Sequence, residues 1–120
     1  MHERNHTGAA DMSIMDKFSV VTFPWGKKLP TVEGCIRMAQ HAEKLGFYSI
    51  HMPMETTQGK PYDPDKKVKD VFDSLVFLGP MLLATKKIRV GPDGITLPFL
   101  PPFYWAQHFA TLDHMSGGGR

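Results

Sequence analysis

Pro92-Asp93-Gly94-Ile95-Thr96 follows a short β-prone run, Ile88 to Gly91, and leads through LPFLPP into an aromatic helical stretch. In a parallel α/β chain, binding and catalytic groups gather where the C-terminal end of a strand passes into a loop and helix. These five residues stand at such a point, although Pro-Asp-Gly by itself favours an ordinary turn. A second candidate is Glu55, just past the run Phe47 to Met52. A carboxylate there can act as a base or hydrogen-bond acceptor, or it can be an exposed loop glutamate. His51 lies inside the run and reads as a histidine satisfied by its surroundings rather than a catalyst. Cys35 falls on an apolar helical face and reads as core. His2 and His6 have i, i+4 spacing but no element to hold them, and His108 and His114 are six apart on one helix, so neither pair reads as a metal site. Phosphate-cradling patterns such as GxxxxGK[ST] and GxGxxG do not occur.

The elements that must position these residues follow from periodicity. Phe18, Val20, Val21 and Phe23 predict a first strand, closed by Pro24, Trp25 and Gly26. A helix follows, with Thr31 as N-cap, Glu33 in the first turn, and Val32, Cys35, Ile36, Ala39, Ala42 and Leu45 on one face. Gly46 is its stop. The second strand is Phe47 to Met52, ended by Pro53. Met54 to Asp70 is polar and holds Gly59, Pro61 and Pro64. At about seventeen residues it is long for a βα loop, where ~2–6 is usual, and reads as a wall of a site. A second helix runs from N-cap Asp73 to Thr85 with Leu75, Leu78, Leu82 and Leu83 on one face and Pro80 as its weak point. The third strand, Ile88 to Gly91, leads to a third helix, Phe103 to His114. Phe103, Ala106, Phe109, Ala110, Tyr104 and Trp105 give that helix a half-buried apolar side, and Gly117 to Gly119 stop it. The order β-α-β-α-β-α with short α-to-β connections predicts a parallel sheet with right-handed crossovers.

Composition bounds the rest. With 120 residues, 42% hydrophobic, 22% charged and a formal net charge of +2, the chain reads as one globular domain. Lys66, Lys67 and Lys69 read as a solvated face, so no nucleic acid is expected. The longest apolar run, Leu75 to Ala84, is broken by Gly79 and Pro80 and falls short of the ~18 residues of a membrane span. A single cysteine excludes an internal disulfide, and the first seventeen residues carry no signal-peptide apolar stretch. The expected location is cytoplasmic. Residues 1–16 lack periodicity and read as a mobile leader; 17–120 form the domain.

A group of motifs then adds to this reading. Ala42-Glu43-Lys44-Leu45-Gly46-Phe47 with Ser49-Ile50 is similar to an "AE-x-LGF-x-S" element. Thr85, Ile88 and Gly91 give "T-x-x-I-x-x-G", and Pro102, Ala106, Ala110-Thr111-Leu112-Asp113 and Ser116 to Arg120 give "P…A…ATLD…SGGR" with one extra glycine. In this order the motifs resemble the luciferase-like monooxygenase family over about Phe18 to Arg120. The resemblance implies an N-terminal part, three βα units, of a (β/α)₈ TIM barrel, which needs ~250 residues. It implies reduced flavin or FMN as cofactor, with a deazaflavin coenzyme as the alternative, and a small-molecule substrate. Phe23, Trp25, Met54, Asp93, Gly94, Ile95 and Thr96 would line the cofactor, with Glu55 as the catalytic candidate. Asp93 to Thr96 would form the family's bulge with an unusual peptide bond, as an alternative to the plain turn. Asp93, and the absence of an acid–histidine pair after the second strand, depart from the family's pattern. Ser116 to Arg120 would lead into a fourth strand beyond the chain. Two further readings stand beside the enzyme: a non-catalytic half-barrel that self-associates through open sheet edges, and a small α/β binding module, for which edge-sealing elements are not evident.

Overall fold

A computed structural model describes residues 17–22, 31–54 and 73–120. They form β1 (Ser19–Val21), α1 (Val32–Lys44), β2 (Ser49–Pro53), α2 (Ser74–Leu83), β3 (Arg89–Asp93), a 3-10 turn (Leu97–Phe99) and α3 (Pro102–Met115). The strands pair in parallel in the order β1-β2-β3. The α/β alternation and parallel sheet agree with the sequence reading; a closed barrel is not seen among the described residues. The expected leader, 1–16, lies outside them. None of the described helices is long and apolar enough to cross a membrane.

The first helix begins where Thr31 takes extended backbone and its hydroxyl accepts the Gly34 N–H at 3.0 Å, which satisfies an otherwise orphaned donor. Cys35, Ala39 and Ala42, spaced i, i+4, i+7, are buried. Val32 and Leu45, expected on that face, are about half exposed because they sit at its ends, past the packed turns. Gly46 has φ +82, and Phe47 N–H bonds the Ala42 carbonyl. This six-to-one capping bond explains why β2 starts at Ser49 and not at Phe47: the Phe47 N–H belongs to the helix cap.

Asp73 caps α2 as expected, its carboxylate accepting Leu75 N–H at 2.9 Å. The helix continues through Pro80, which has no N–H to give the carbonyl of Val76 one turn earlier. Val76 is exposed, so water can serve that carbonyl. Almost every other side of α2 is covered: Ser74, Leu75, Phe77, Leu78, Gly79, Met81 and Leu82 are buried. Leu83, expected on the apolar face, is 60% exposed. At 100° per residue it falls on the Val76 side, away from Leu75, Leu78 and Leu82.

Alternation along the sheet puts Val20, Ile50, Met52 and Val90 against the helices, where they join a core containing Cys35, Ala39, Leu75, Leu78 and Met81. The third helix docks through Trp105, Phe109 and Leu112, spaced i, i+4, i+7, rather than through Phe103, Ala106 and Ala110. Trp105 is 5% exposed, whereas Phe103 is 73% exposed. This helix packs against α2, and its other flank meets no described element, so its aromatic residues divide between core and solvent. Gly79 sets the approach of the two helices: a Cβ there would lie 3.2 Å from the Met115 methyl.

Candidate functional site

Parallel pairing brings the carboxyl ends of the strands to one edge. The register opposes Met52 to Pro92 and Pro53 to Asp93, so Met54 and Gly94 leave the sheet side by side. Asp93 is the last strand residue and is exposed. Gly94 has φ +79 with open space where a Cβ would stand, so its requirement is backbone conformation, not room. Ile95 and Thr96 are exposed and pass into the 3-10 turn, closed by Leu97 N–H on the Ile95 carbonyl and Phe99 N–H on that of Thr96. The unusual peptide bond implied by the resemblance is not found: every described peptide bond is trans, and the β2–β3 ladder runs evenly to Asp93. A bend at Gly94, with glycine supplying positive φ, is the geometry observed.

Three contacts fix this edge. The indole N–H of Trp105 donates to the Leu97 carbonyl at 3.1 Å, tying α3 to the loop after β3. The Ser74 hydroxyl donates to the Pro53 carbonyl, tying the start of α2 to the end of β2. The Thr22 N–H and hydroxyl both donate to the His51 carbonyl, at 2.8 and 3.1 Å, tying the end of β1 to β2. Exposed apolar side chains crowd the same end: Ile95, Leu97 and Phe99 are 38%, 65% and 53% exposed.

The sheet face turned away from the helices is polar. Ser19 pairs with Ser49 and Ser49 with Arg89; Val21 pairs with His51 and His51 with Gly91. His51 bonds Ser49 Oγ through Nε2 at 2.8 Å and the Pro92 carbonyl through Nδ1 at 3.2 Å. It is a satisfied histidine, as the sequence indicated, and its ring clamps β2 to the end of β3. A serine pair and an imidazole occupy that face.

The opposite edge holds a cluster that sequence reading did not assign. Glu43 Oε1 accepts the backbone N–H groups of Lys86, Lys87 and Ile88 at 2.7, 2.5 and 3.1 Å. Burial pushes this carboxyl up, but the three N–H bonds and the charge of Arg120 outweigh it and hold its pKa below the ordinary range. Gly117, Gly118 and Gly119 all have positive φ, near +85, and turn the chain back so that Arg120 reaches α2. The Arg120 guanidinium donates to the Leu82 carbonyl, to Thr85 Oγ1 at 3.1 Å and to the Ile88 carbonyl at 3.3 Å. Cations at a helix C-terminus complement its dipole and its orphan carbonyls. Glu43, Thr85, Ile88 and Arg120 all belong to the motifs noted in the sequence, and they meet at the end of the sheet opposite the carboxyl edge. Their spacing along the chain hid this, because Glu43 lies in the last turn of α1, Thr85 and Ile88 lie between α2 and β3, and Arg120 follows α3.

Of the residues singled out from sequence, Met54, Asp93, Gly94, Ile95 and Thr96 gather at the carboxyl edge, with Met54 partly buried against the core. Phe23, Trp25 and Glu55 lie outside the described residues, as does most of the loop after β2. Cys35 is buried, which raises its thiol pKa and makes it a poor nucleophile. Among the described residues no group of His, Cys, Asp and Glu could hold a metal ion. A family model described as luciferase-like monooxygenase matches residues 12–120. No curated protein and no solved structure shows a significant match to the chain.

Proposed function

This chain belongs to the luciferase-like monooxygenase family, and we propose that it forms three βα units of a flavin-dependent oxidoreductase barrel, with the cofactor at the carboxyl edge of the sheet. The observation that carries this reading is the β2–β3 register, which brings Met54 next to Asp93-Gly94 at one edge. A flavin ring requires a flat apolar slot with hydrogen-bonding groups at its polar rim. The exposed Ile95, Leu97 and Phe99 beside Asp93, Thr96 and the free backbone at Gly94 fit that requirement. On this reading Phe23, Trp25, Met54 and Asp93 to Thr96 hold the ring, and Glu55 is the acid–base candidate. When bound, the flavin supplies the electron transfer; the chain orients it and limits water around it. FMN is the first choice of cofactor, a deazaflavin coenzyme the second, and the substrate is a small molecule.

Titration with reduced FMN and with the reduced deazaflavin tests this, read by quenching of tryptophan fluorescence. Saturable quenching by one of them supports the reading and chooses between them. No saturable signal from either by about 1 mM, a binding free energy near −4 kcal/mol, refutes it.

A second reading is that the 120-residue chain is non-catalytic and self-associates. It is favoured by exposed Val76, Leu83, Phe103 and Tyr104 on α2 and α3, because exposed apolar side chains promote association. Sedimentation velocity decides it: a compact monomer at all concentrations contradicts self-association.

A further inference from the structure

On the sheet face opposite the helices, a row of side chains crosses β1 and β2 and ends on a β3 carbonyl. Ser19 Oγ lies 2.5 Å from Ser49 Oγ, Ser49 Oγ lies 2.8 Å from His51 Nε2, and His51 Nδ1 lies 3.2 Å from the Pro92 carbonyl oxygen. A carbonyl can only accept, so Nδ1 carries a proton. In the neutral ring Nε2 is then a bare acceptor, Ser49 must donate to it, and Ser49 in turn accepts from Ser19. Every hydrogen in the row is thereby directed. Ser49 in the middle is 4% exposed, whereas Ser19 at the end of the row is exposed. The row thus has one wet mouth and one dry link.

We propose that this row is a proton-uptake path and that His51 is the proton-holding residue beneath the cofactor edge, a role that rests on the flavin reading above. A hydronium ion gives its proton to Ser19 Oγ and leaves as water, the original Ser19 proton passes to Ser49 Oγ, and the Ser49 proton passes to His51 Nε2. Each serine ends with one hydrogen, and one proton has moved from the hydronium ion to the ring. The Nδ1–H bond to Pro92 is kept throughout, so the imidazole need not turn. The product is an imidazolium attached to the residue before Asp93.

An imidazole can take up a proton at one ring nitrogen while the other keeps its own. Among the described residues the charged groups on this face are Arg89 and Asp93, which flank Gly91 on β3; the β1 partner of His51 is Val21, and on β2 its same-face neighbours are Ser49 and Pro53. Gly91 opposes the ring without a side chain, and even a Cβ there would come no closer than 3.7 Å to Nδ1. Once protonated, the imidazolium places a positive charge beside the Pro92 carbonyl. The complementary class is an anion with a flat polar rim, which a reduced flavin is, and charge-assisted hydrogen bonds to such a rim are stronger than neutral ones.

Long-range proton–nitrogen NMR of the imidazoles, on the whole chain without flavin, tests the path itself. The expected result is a neutral His51 protonated at Nδ1. In Ser49→Ala the imidazolium loses the acceptor for its Nε2–H, so the His51 titration midpoint falls by about one pH unit, tenfold in proton affinity. A ring protonated at Nε2, or an unmoved midpoint in a natively folded Ser49→Ala, overturns the proposal. Titration with reduced FMN across pH tests the link to the cofactor. Affinity should rise about tenfold as pH falls through the His51 midpoint, and the rise should vanish in His51→Gln. If that variant does not fold, the rise should instead shift with the lowered midpoint of Ser49→Ala. Binding that is flat with pH overturns the link. No flavin binding at any pH, with the expected NMR, overturns the flavin reading and supports the path alone.

Discussion

Replacing Glu43 should destabilise the fold without touching the carboxyl edge of the sheet. Its Oε1 holds three consecutive backbone N–H groups, those of Lys86, Lys87 and Ile88. Hydrogen bonds to a charged group are worth about 1.5–3 kcal/mol each when desolvated. Lys86 and Lys87 are exposed, so water replaces much of what they lose, while Ile88 is 2% exposed and its N–H is not easily resolvated. Discounting the exposed contacts for solvent, Glu43→Ala should cost about 2 kcal/mol, and Glu43→Gln, which keeps an acceptor oxygen but no charge, about 1 kcal/mol. For a domain of this size about 1 kcal/mol corresponds to a melting shift of about 4 °C. Urea unfolding at several pH values measures both. The folded-state pKa of Glu43 is depressed, so its contribution is fully present above the unfolded carboxyl value of about 4.3. It is lost as pH falls through the lower folded value. The gap between the wild type and Glu43→Gln should therefore be constant near neutrality and close in acid. Equal midpoints at pH 7, or a gap that persists unchanged in acid, would refute the reasoning.

Three further outcomes are expected. Gly79→Ala should be neutral or stabilising by up to ~1 kcal/mol, because helix propensity favours alanine and the atom it meets is the mobile end of Met115. Gly79→Leu should cost about 1–3 kcal/mol by forcing α2 and α3 apart, read from the shift in urea midpoint. Trp105→Phe keeps the buried ring but removes the bond to the Leu97 carbonyl, so about 1 kcal/mol should be lost, with faster amide exchange confined to residues 95–99. A global increase in exchange would contradict the local role. Cys35 should resist a thiol reagent in the native state and react at once in denaturant, since burial raises its pKa; rapid native labelling would show that the α1 face is not packed as described.

Much of this architecture was legible because local signals agreed. Thr31, Asp73 and Gly46 announced the ends of α1 and α2, and each does the capping expected of it. Errors arose where an apolar residue could face either way. Leu83 and Phe103 are as apolar as Leu82 and Trp105, yet they are exposed, because burial depends on which flank of the helix meets a neighbour. The candidate site was read in part: Met54 and Asp93 to Thr96 were recognised at strand ends, while their adjacency needed the register of β2 on β3. The sequence also favoured His51 as a satisfied residue without naming its partners, one of which is a carbonyl on another strand.

The order of elements, the caps, the parallel sheet and the family motifs follow from residues close in the chain, where periodicity and turn chemistry act over a few positions. What the motifs are for does not. Glu43, Thr85 and Arg120 carry the resemblance in sequence, and only the fold brings them to one place, at the edge away from the candidate site. At Asp93-Gly94 residue type favoured a turn and the family resemblance a bulge with an unusual peptide bond; the backbone is trans, the ladder runs evenly to Asp93, and Gly94 bends the chain with positive φ. The physical reason is the same in each case: hydrogen bonds between residues far apart in sequence depend on strand register and helix docking, which no local propensity encodes.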